Sequence, residues 1–186
     1  MKKIIITGGP HTGKTTLLDA LRQSNPELHY VPEPAAEIIQ EQHQKVKDDP
    51  KHKGIFPWNN YPGFGKLVIA RSLQHSAAIP KDAEKVIFDR SLIDNNAYAR
   101  IHHCEFLLEK GFPHIQAARY SVALVCDFVG TYTQTEIRAE PREVAEEIQA
   151  QILRAYEESG LPIIHIPSVS VEERVELVQQ VVAGTY

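Results

Sequence analysis

The chain has 186 residues, 42% of them hydrophobic and 24% charged, the length and composition of one globular domain spanning 1–186 with one core. Its formal net charge of -4, without any long lysine or arginine block, excludes a general nucleic-acid surface, and no apolar run approaches the ~20 residues of a membrane-spanning helix. Cys104 and Cys126 lie in apolar or helical segments and read as reduced, buried thiols; with no signal-peptide pattern at the start, the expected location is the cytoplasm.

Short β-branched runs recur between helical patterns, and five strands are predicted, over 3–7, 28–31, 85–88, 122–126 and 162–166. These runs are nearly continuous in apolar residues rather than alternating, as strands buried on both faces require, which predicts a parallel sheet covered by helices on each side. A helix over 14–23 carries Leu17, Leu18 and Leu21 on one stripe. Residues 45–65 mix charges, prolines and glycines with Phe56, Trp58, Tyr61 and Phe64, and read as one long loop of the kind that usually carries function. Its aromatics either stack on a substrate base or cover an edge of the core. A helix over 141–158, with Pro141 in its first position, presents Val144, Ile148, Ile152 and Ala155. Ser170 and Glu173 form a capping-box pattern that opens a last helix burying Val175, Val178 and Val182.

The strongest chemical signal is Gly8-Gly9-Pro10-His11-Thr12-Gly13-Lys14-Thr15, a full G-x-x-x-x-G-K-[ST] pattern between an apolar strand and an amphipathic helix. Its glycines let backbone N–H groups converge on phosphate oxygens, and the helix start that continues through Thr16 adds partial positive charge. Lys14 is placed to reach the β- and γ-phosphates of ATP or GTP, and the Thr15 hydroxyl to ligate Mg²⁺.

Glu33, between Pro32 and Pro34 at the end of the second strand, is a candidate general base for a phosphoryl acceptor, or a turn carboxylate held between two prolines. Asp89 and Arg90 end the third strand. Asp89 is expected to orient the metal or its waters, or alternatively to cap the next helix; Arg90 can bridge phosphate oxygens with its planar fork. Asp94, four residues beyond Arg90, is a candidate for reading an acceptor hydroxyl. A polar lid over 128–140 supplies Arg138 to the developing charge, in preference to Arg142 at the next helix start. His102, His103 and Cys104 read as structural, because neighbours on a helix point to different sides.

Taken together, residues 8–15, 31–34, 88–98 and 171–178 resemble the AAA_28 family of P-loop domains. That family includes the ribosylnicotinamide-kinase-like domain of the bifunctional bacterial NAD-metabolism regulator. The segment 31–34 also looks like that of deoxynucleoside kinases, where the glutamate is the general base, and Asp89-Arg90-Ser91 looks like their Glu/Asp-Arg-Ser motif. The resemblance implies a three-layer α/β/α sandwich with sheet order 2-3-1-4-5. It also implies a kinase that passes a phosphoryl group from a nucleoside triphosphate to a small-molecule acceptor; the alternative is a nucleotide-dependent switch acting on a protein partner. Phe64-Gly65 departs from the Phe-Gln pair frequent in the family, near the position where nucleoside kinases use a glutamine to read the base.

Overall fold

The computed structural model describes residues 1–49, 51–129 and 141–186. Five strands, β1 (Lys2–Thr7), β2 (His29–Val31), β3 (Lys85–Asp89), β4 (Val122–Cys126) and β5 (Ile163–Ile166), pair in parallel in the order β2-β3-β1-β4-β5. This is the expected order, and each strand limit falls within one residue of its predicted position. Among the described residues seven helices connect and cover them: α1 (Lys14–Ser24), α2 (Pro34–Asp48), α3 (Tyr61–Ala78), α4 (Leu92–Ile101), α5 (Phe106–Ala118), α6 (Arg142–Ser159) and α7 (Val171–Ala183). No described helix is long and apolar enough to cross a membrane.

Because successive residues of a strand point to opposite faces, β1 feeds two cores at once. Ile4 and Ile6 pack with Leu17, Leu18 and Leu21 of α1 and Val178 and Val181 of α7. Ile5 faces the other way, toward Ile93 and Ala97 of α4 and Ile152 and Tyr156 of α6. A third cluster, built from Ile38 of α2, Phe64 and Val68 of α3 and Leu107 of α5, extends the second layer beyond the sheet edge. Three layers follow. The stripe of α6 runs through Ala145, Ile152, Ala155 and Tyr156, while Val144, expected to face the core, is 44% exposed.

The long loop expected over 45–65 is shorter at both ends, because α2 continues to Asp48 and α3 begins at Tyr61. Pro62 and Gly63 mark a helix start rather than a loop: the Asn60 side chain accepts a hydrogen bond from the Gly63 N–H at 3.0 Å, and proline fits the first turn, where its missing N–H costs nothing. Tyr61 and Phe64 then fall on the buried face of α3, so they cover the core, whereas Trp58 stays in the loop.

Gly65 lies where α3 and α5 touch, and a Cβ there would come within 2.4 Å of Leu107 Cδ1, a fully buried side chain. Overpacking costs typically ~1–3 kcal/mol, against a helix-propensity gain of about 1 kcal/mol for alanine over glycine. Gly65→Ala is therefore expected to lower the urea midpoint with an unchanged slope; a higher midpoint would show that Leu107 moves aside freely.

Both cysteines are buried and free. His102 and His103 lie in the turn between α4 and α5 rather than on a helix, and the His102 ring stacks on Tyr61 at 4.0 Å between centroids.

Candidate active site at the carboxyl ends of the strands

Register brings the site together. Ile6 pairs with Asp89 across β1 and β3, Thr7 with Val125 across β1 and β4, and Val31 with Phe88 across β2 and β3. The residues that follow β1, β2 and β3, namely Gly8 onward, Pro32-Glu33 and Arg90-Ser91, therefore emerge at one rim of the sheet, where open parallel sheets bind ligands.

The loop from Gly8 to Gly13 turns into α1 with Gly13 at φ 69°, a left-handed conformation that glycine adopts without a Cβ penalty. Space demands glycine as well, since a Cβ on Gly13 would sit 2.7 Å from Arg174 Nη1. Arg174, 2% exposed on α7, donates from Nη2 to the Thr12 carbonyl at 2.9 Å. From α6, the Gln149 carboxamide accepts from the Gly9 N–H at 2.5 Å and donates to the Cys126 carbonyl at 3.1 Å, tying the loop to the end of β4. The loop is thus braced from both helical layers by residues with no sequence pattern of their own, and sequence reasoning missed them.

Lys14, 7% exposed, directs its ammonium to Asp89 and to Glu33, the latter at 3.4 Å. Arg90 Nε lies 3.1 Å from the other Glu33 oxygen, and its guanidinium stands 5.7 Å from the Tyr98 ring centroid. Arg90 has φ 63°, unusual for a residue with a Cβ, a strain of the kind that clusters at functional sites. Burial pushes the Glu33 carboxyl up, but the charges of Arg90 and Lys14 outweigh burial and hold it below the ordinary 4.5. Asp89 goes the other way: burial raises it above 3.8, the Lys14 charge offsets only part of this, and the Glu33 charge adds to it.

Asp94 has a different role from the one expected. Ser91, not Asp89, caps α4, and Asp94 closes a capping box by accepting from the Ser91 N–H at 2.8 Å. Its oxygens also take the hydroxyls of Thr7 and Tyr156 and meet Arg90 Nη1 at 3.1 Å. Tyr156 is fully buried, and burial followed by the Asp94 charge pushes its phenol far above 10, so it remains a donor. With Tyr156 donating to Asp94, the Ser91 hydroxyl at 2.9 Å donates to Tyr156 in turn. Asp94 is the hub that fixes Arg90 and the start of α4, with no hydrogen-bonding capacity left over for an acceptor hydroxyl. The Ser-x-x-Asp spacing was the available signal.

Beside Glu33 lies a cavity of about 330 Å³, lined among others by Glu33, Arg90, Asn95, Trp58, Tyr61 and Phe64. Trp58 is 65% exposed and stacks on Phe56 at 4.8 Å, forming the outer rim. Gly65, where the resemblance points to a glutamine, abuts Leu107.

Thr15 and Thr16 are exposed at the start of α1. The Thr15 hydroxyl and the Asp89 carboxylate, the latter beside Lys14, are hard oxygen donors of the kind Mg²⁺ accepts together with phosphates. Asp89→Asn is expected to slow turnover and to shift the Mg²⁺ titration to higher concentration; wild-type rate and titration together would leave Asp89 as only a partner for Lys14. Arg138 lies outside the described residues, as does all of the expected lid except Phe128 and Val129; the Val129 N–H reaches the His11 carbonyl at 3.2 Å. Arg142 is engaged by Glu146 at 2.7 Å on the surface.

A parallel sheet of this order, with a Walker-type loop braced at its rim and a carboxylate-rich crevice beside it, defines a P-loop nucleotide-binding protein. The AAA domain family model AAA_28 matches residues 3–174, and the chain belongs to that family. No curated protein matches the chain.

Proposed function

We infer that this domain transfers the γ-phosphoryl group of ATP or GTP to a hydroxyl of a small, nucleoside-like molecule. The observation that carries this reading is the cavity of about 330 Å³ that places Glu33 and Arg90 on its wall, with the Lys14 ammonium 3.4 Å from the same glutamate. That volume lies within the range of small-molecule sites. A switch that only binds nucleotide and signals to a protein has no need of a small-molecule-sized cavity beside a carboxylate.

In this scheme the backbone of residues 8–13 and the start of α1 hold the phosphates, and Lys14 exchanges its carboxylate partners for β- and γ-phosphate oxygens. Thr15 and Asp89 would hold Mg²⁺, which would supply charge neutralisation to the phosphates. Glu33 accepts the acceptor hydroxyl's proton as that oxygen bonds to the γ-phosphorus, while the bond from phosphorus to the β-γ bridging oxygen breaks and the nucleoside diphosphate departs. Arg90 orients Glu33 and supplies positive charge to the transferring group, a role the sequence also assigns to Arg138.

Glu33 also links the site to stability. Its pKa is depressed in the fold, so its contribution is fully present above pH 4.5 and is lost as pH falls through the lower folded value. Between pH 5 and pH 3 the melting temperature of wild type should therefore fall further than that of Glu33→Gln; parallel curves would mean that Lys14 and Arg90 do not stabilise the ionised carboxylate.

The test of function is a screen of nucleosides, ribosylnicotinamide and sugars with Mg-ATP and Mg-GTP, reading diphosphate release. A nucleoside-like compound should stimulate release well above the acceptor-free rate. Release that no compound stimulates, but that a protein partner does, would favour the switch.

A further inference from the structure

We propose that Arg174 is a hidden countercharge for the nucleotide: from behind the loop, through the Thr12–Gly13 peptide, it strengthens the hold on the phosphates without touching them. The inference stands on the phosphate-binding loop alone and is independent of what accepts the phosphoryl group. Arg174 is 2% exposed on α7 and is among the largest fully buried side chains. Its guanidinium lies flush under the loop, since a Cβ on Gly13 would sit 2.7 Å from Nη1. Among the described residues it meets no carboxylate; its partners are neutral, the Thr12 carbonyl at 2.9 Å and the Cys126 thiol. A charge taken out of water without an opposite charge is costly to the fold, and a bound anion is what would offset that cost.

The charges of the crevice show why such a cation matters. Lys14 is already committed to Asp89 and Glu33, and Arg90 to Glu33 and Asp94. Two cations thus face three carboxylates, a formal surplus of negative charge in a site that must hold a polyphosphate. Arg174 differs from both, because it has no carboxylate to give up when phosphate arrives. The backbone gives its charge a direction. The Thr12–Gly13 peptide is trans, so with its carbonyl turned to Arg174 its N–H points the opposite way, away from α7. No side chain caps α1, and the Gly13 N–H has no partner among the described residues, which leaves it open as a phosphate donor at a helix start. A charged donor on the carbonyl polarises the peptide and strengthens the hydrogen bond that its N–H gives. Arg174 is therefore a positioning residue that also lends charge.

The test separates charge from bracing with three variants of the full chain. Arg174→Lys keeps the charge and loses the planar fork; Arg174→Gln keeps an N–H donor for the Thr12 carbonyl and loses the charge; Arg174→Met loses both. Binding of Mg-ATP, and of inorganic tripolyphosphate with Mg²⁺ as a probe without base or sugar, is measured by calorimetry. The melting temperature is read with and without each ligand. Arg174→Lys should stay within about threefold of wild type, whereas Arg174→Gln and Arg174→Met should bind both ligands roughly 10-fold or more weakly, as for loss of a charge-assisted interaction. The ligand-induced rise in melting temperature should shrink in the same order. A brace without an electrostatic role gives the opposite order, with glutamine near wild type and lysine impaired, and that result overturns the proposal. So does wild-type affinity in both neutral variants. If Arg174→Met does not fold, Arg174→Gln and Arg174→Lys decide the matter; if neither neutral variant folds while the lysine variant does, the charge serves the free fold rather than the nucleotide, and the proposal fails.

Discussion

Replacing Glu33 with glutamine is expected to lower turnover on the true acceptor by roughly 10²–10⁴, equivalent to about 3–5 kcal/mol of barrier, while the affinity for Mg-ATP changes little. The substitution keeps size and removes charge. In the free protein Glu33 stands between Lys14 at 3.4 Å and Arg90 at 3.1 Å, so it is ionised before any substrate arrives. When Lys14 turns to the phosphates, Glu33 loses one of its two countercharges. Its basicity then rises at the stage when a proton must be accepted. A glutamine cannot take that proton, so binding and chemistry separate, and single-turnover kinetics with a parallel nucleotide titration would show it. A rate within threefold of wild type would remove Glu33 from the mechanism and move preference to the switch.

Lys14→Ala should cost a comparable factor by another route, with nucleotide binding or turnover down by roughly 10²–10³, as for loss of one preorganised donor to transition-state charge. Lys14 is not part of the apolar core; its partners are Asp89 and Glu33. Removing it leaves those carboxylates to each other, and Asp89, already raised by burial and by the Glu33 charge, then takes up a proton more readily. Because the Asp89 and Glu33 side chains retain 14% and 26% exposure, water can also reach them, and the domain is expected to stay folded. Circular dichroism and a nucleotide titration on the same sample check both halves. Unchanged turnover with an intact spectrum would contradict the P-loop reading.

Much of this frame is legible in the chain itself. The unbroken apolar runs of β1, β3 and β4 announce strands covered on both faces, and the loop from Gly8 to Thr15 fixes where the phosphates go. The start of α3 was harder, because Pro62, Gly63 and Gly65 look like loop residues until Asn60 is seen to cap a helix and Leu107 to fill the space above Gly65. Asp94 shows a second kind of difficulty. Its spacing from Arg90 suggested a residue facing substrate, yet the same spacing from Ser91 builds a capping box, and Tyr156, sixty-two residues on, turns it into a structural hub. Contacts across that sequence distance leave no local trace. Gln149, Arg174 and Asn95 were invisible for the same reason: each is an ordinary polar residue on an amphipathic helix until the fold buries it against the loop or the cavity.

The central claim is that a phosphoryl group leaves the nucleotide for an acceptor held beside Glu33. The most direct measurement follows the γ-phosphorus by ³¹P NMR during turnover of Mg-ATP with the stimulating nucleoside-like compound. The account predicts one new phosphomonoester signal formed in step with ADP, with little inorganic phosphate, and its disappearance in Glu33→Gln. ADP accompanied by an equal amount of inorganic phosphate, and no phosphomonoester with any acceptor, would contradict it.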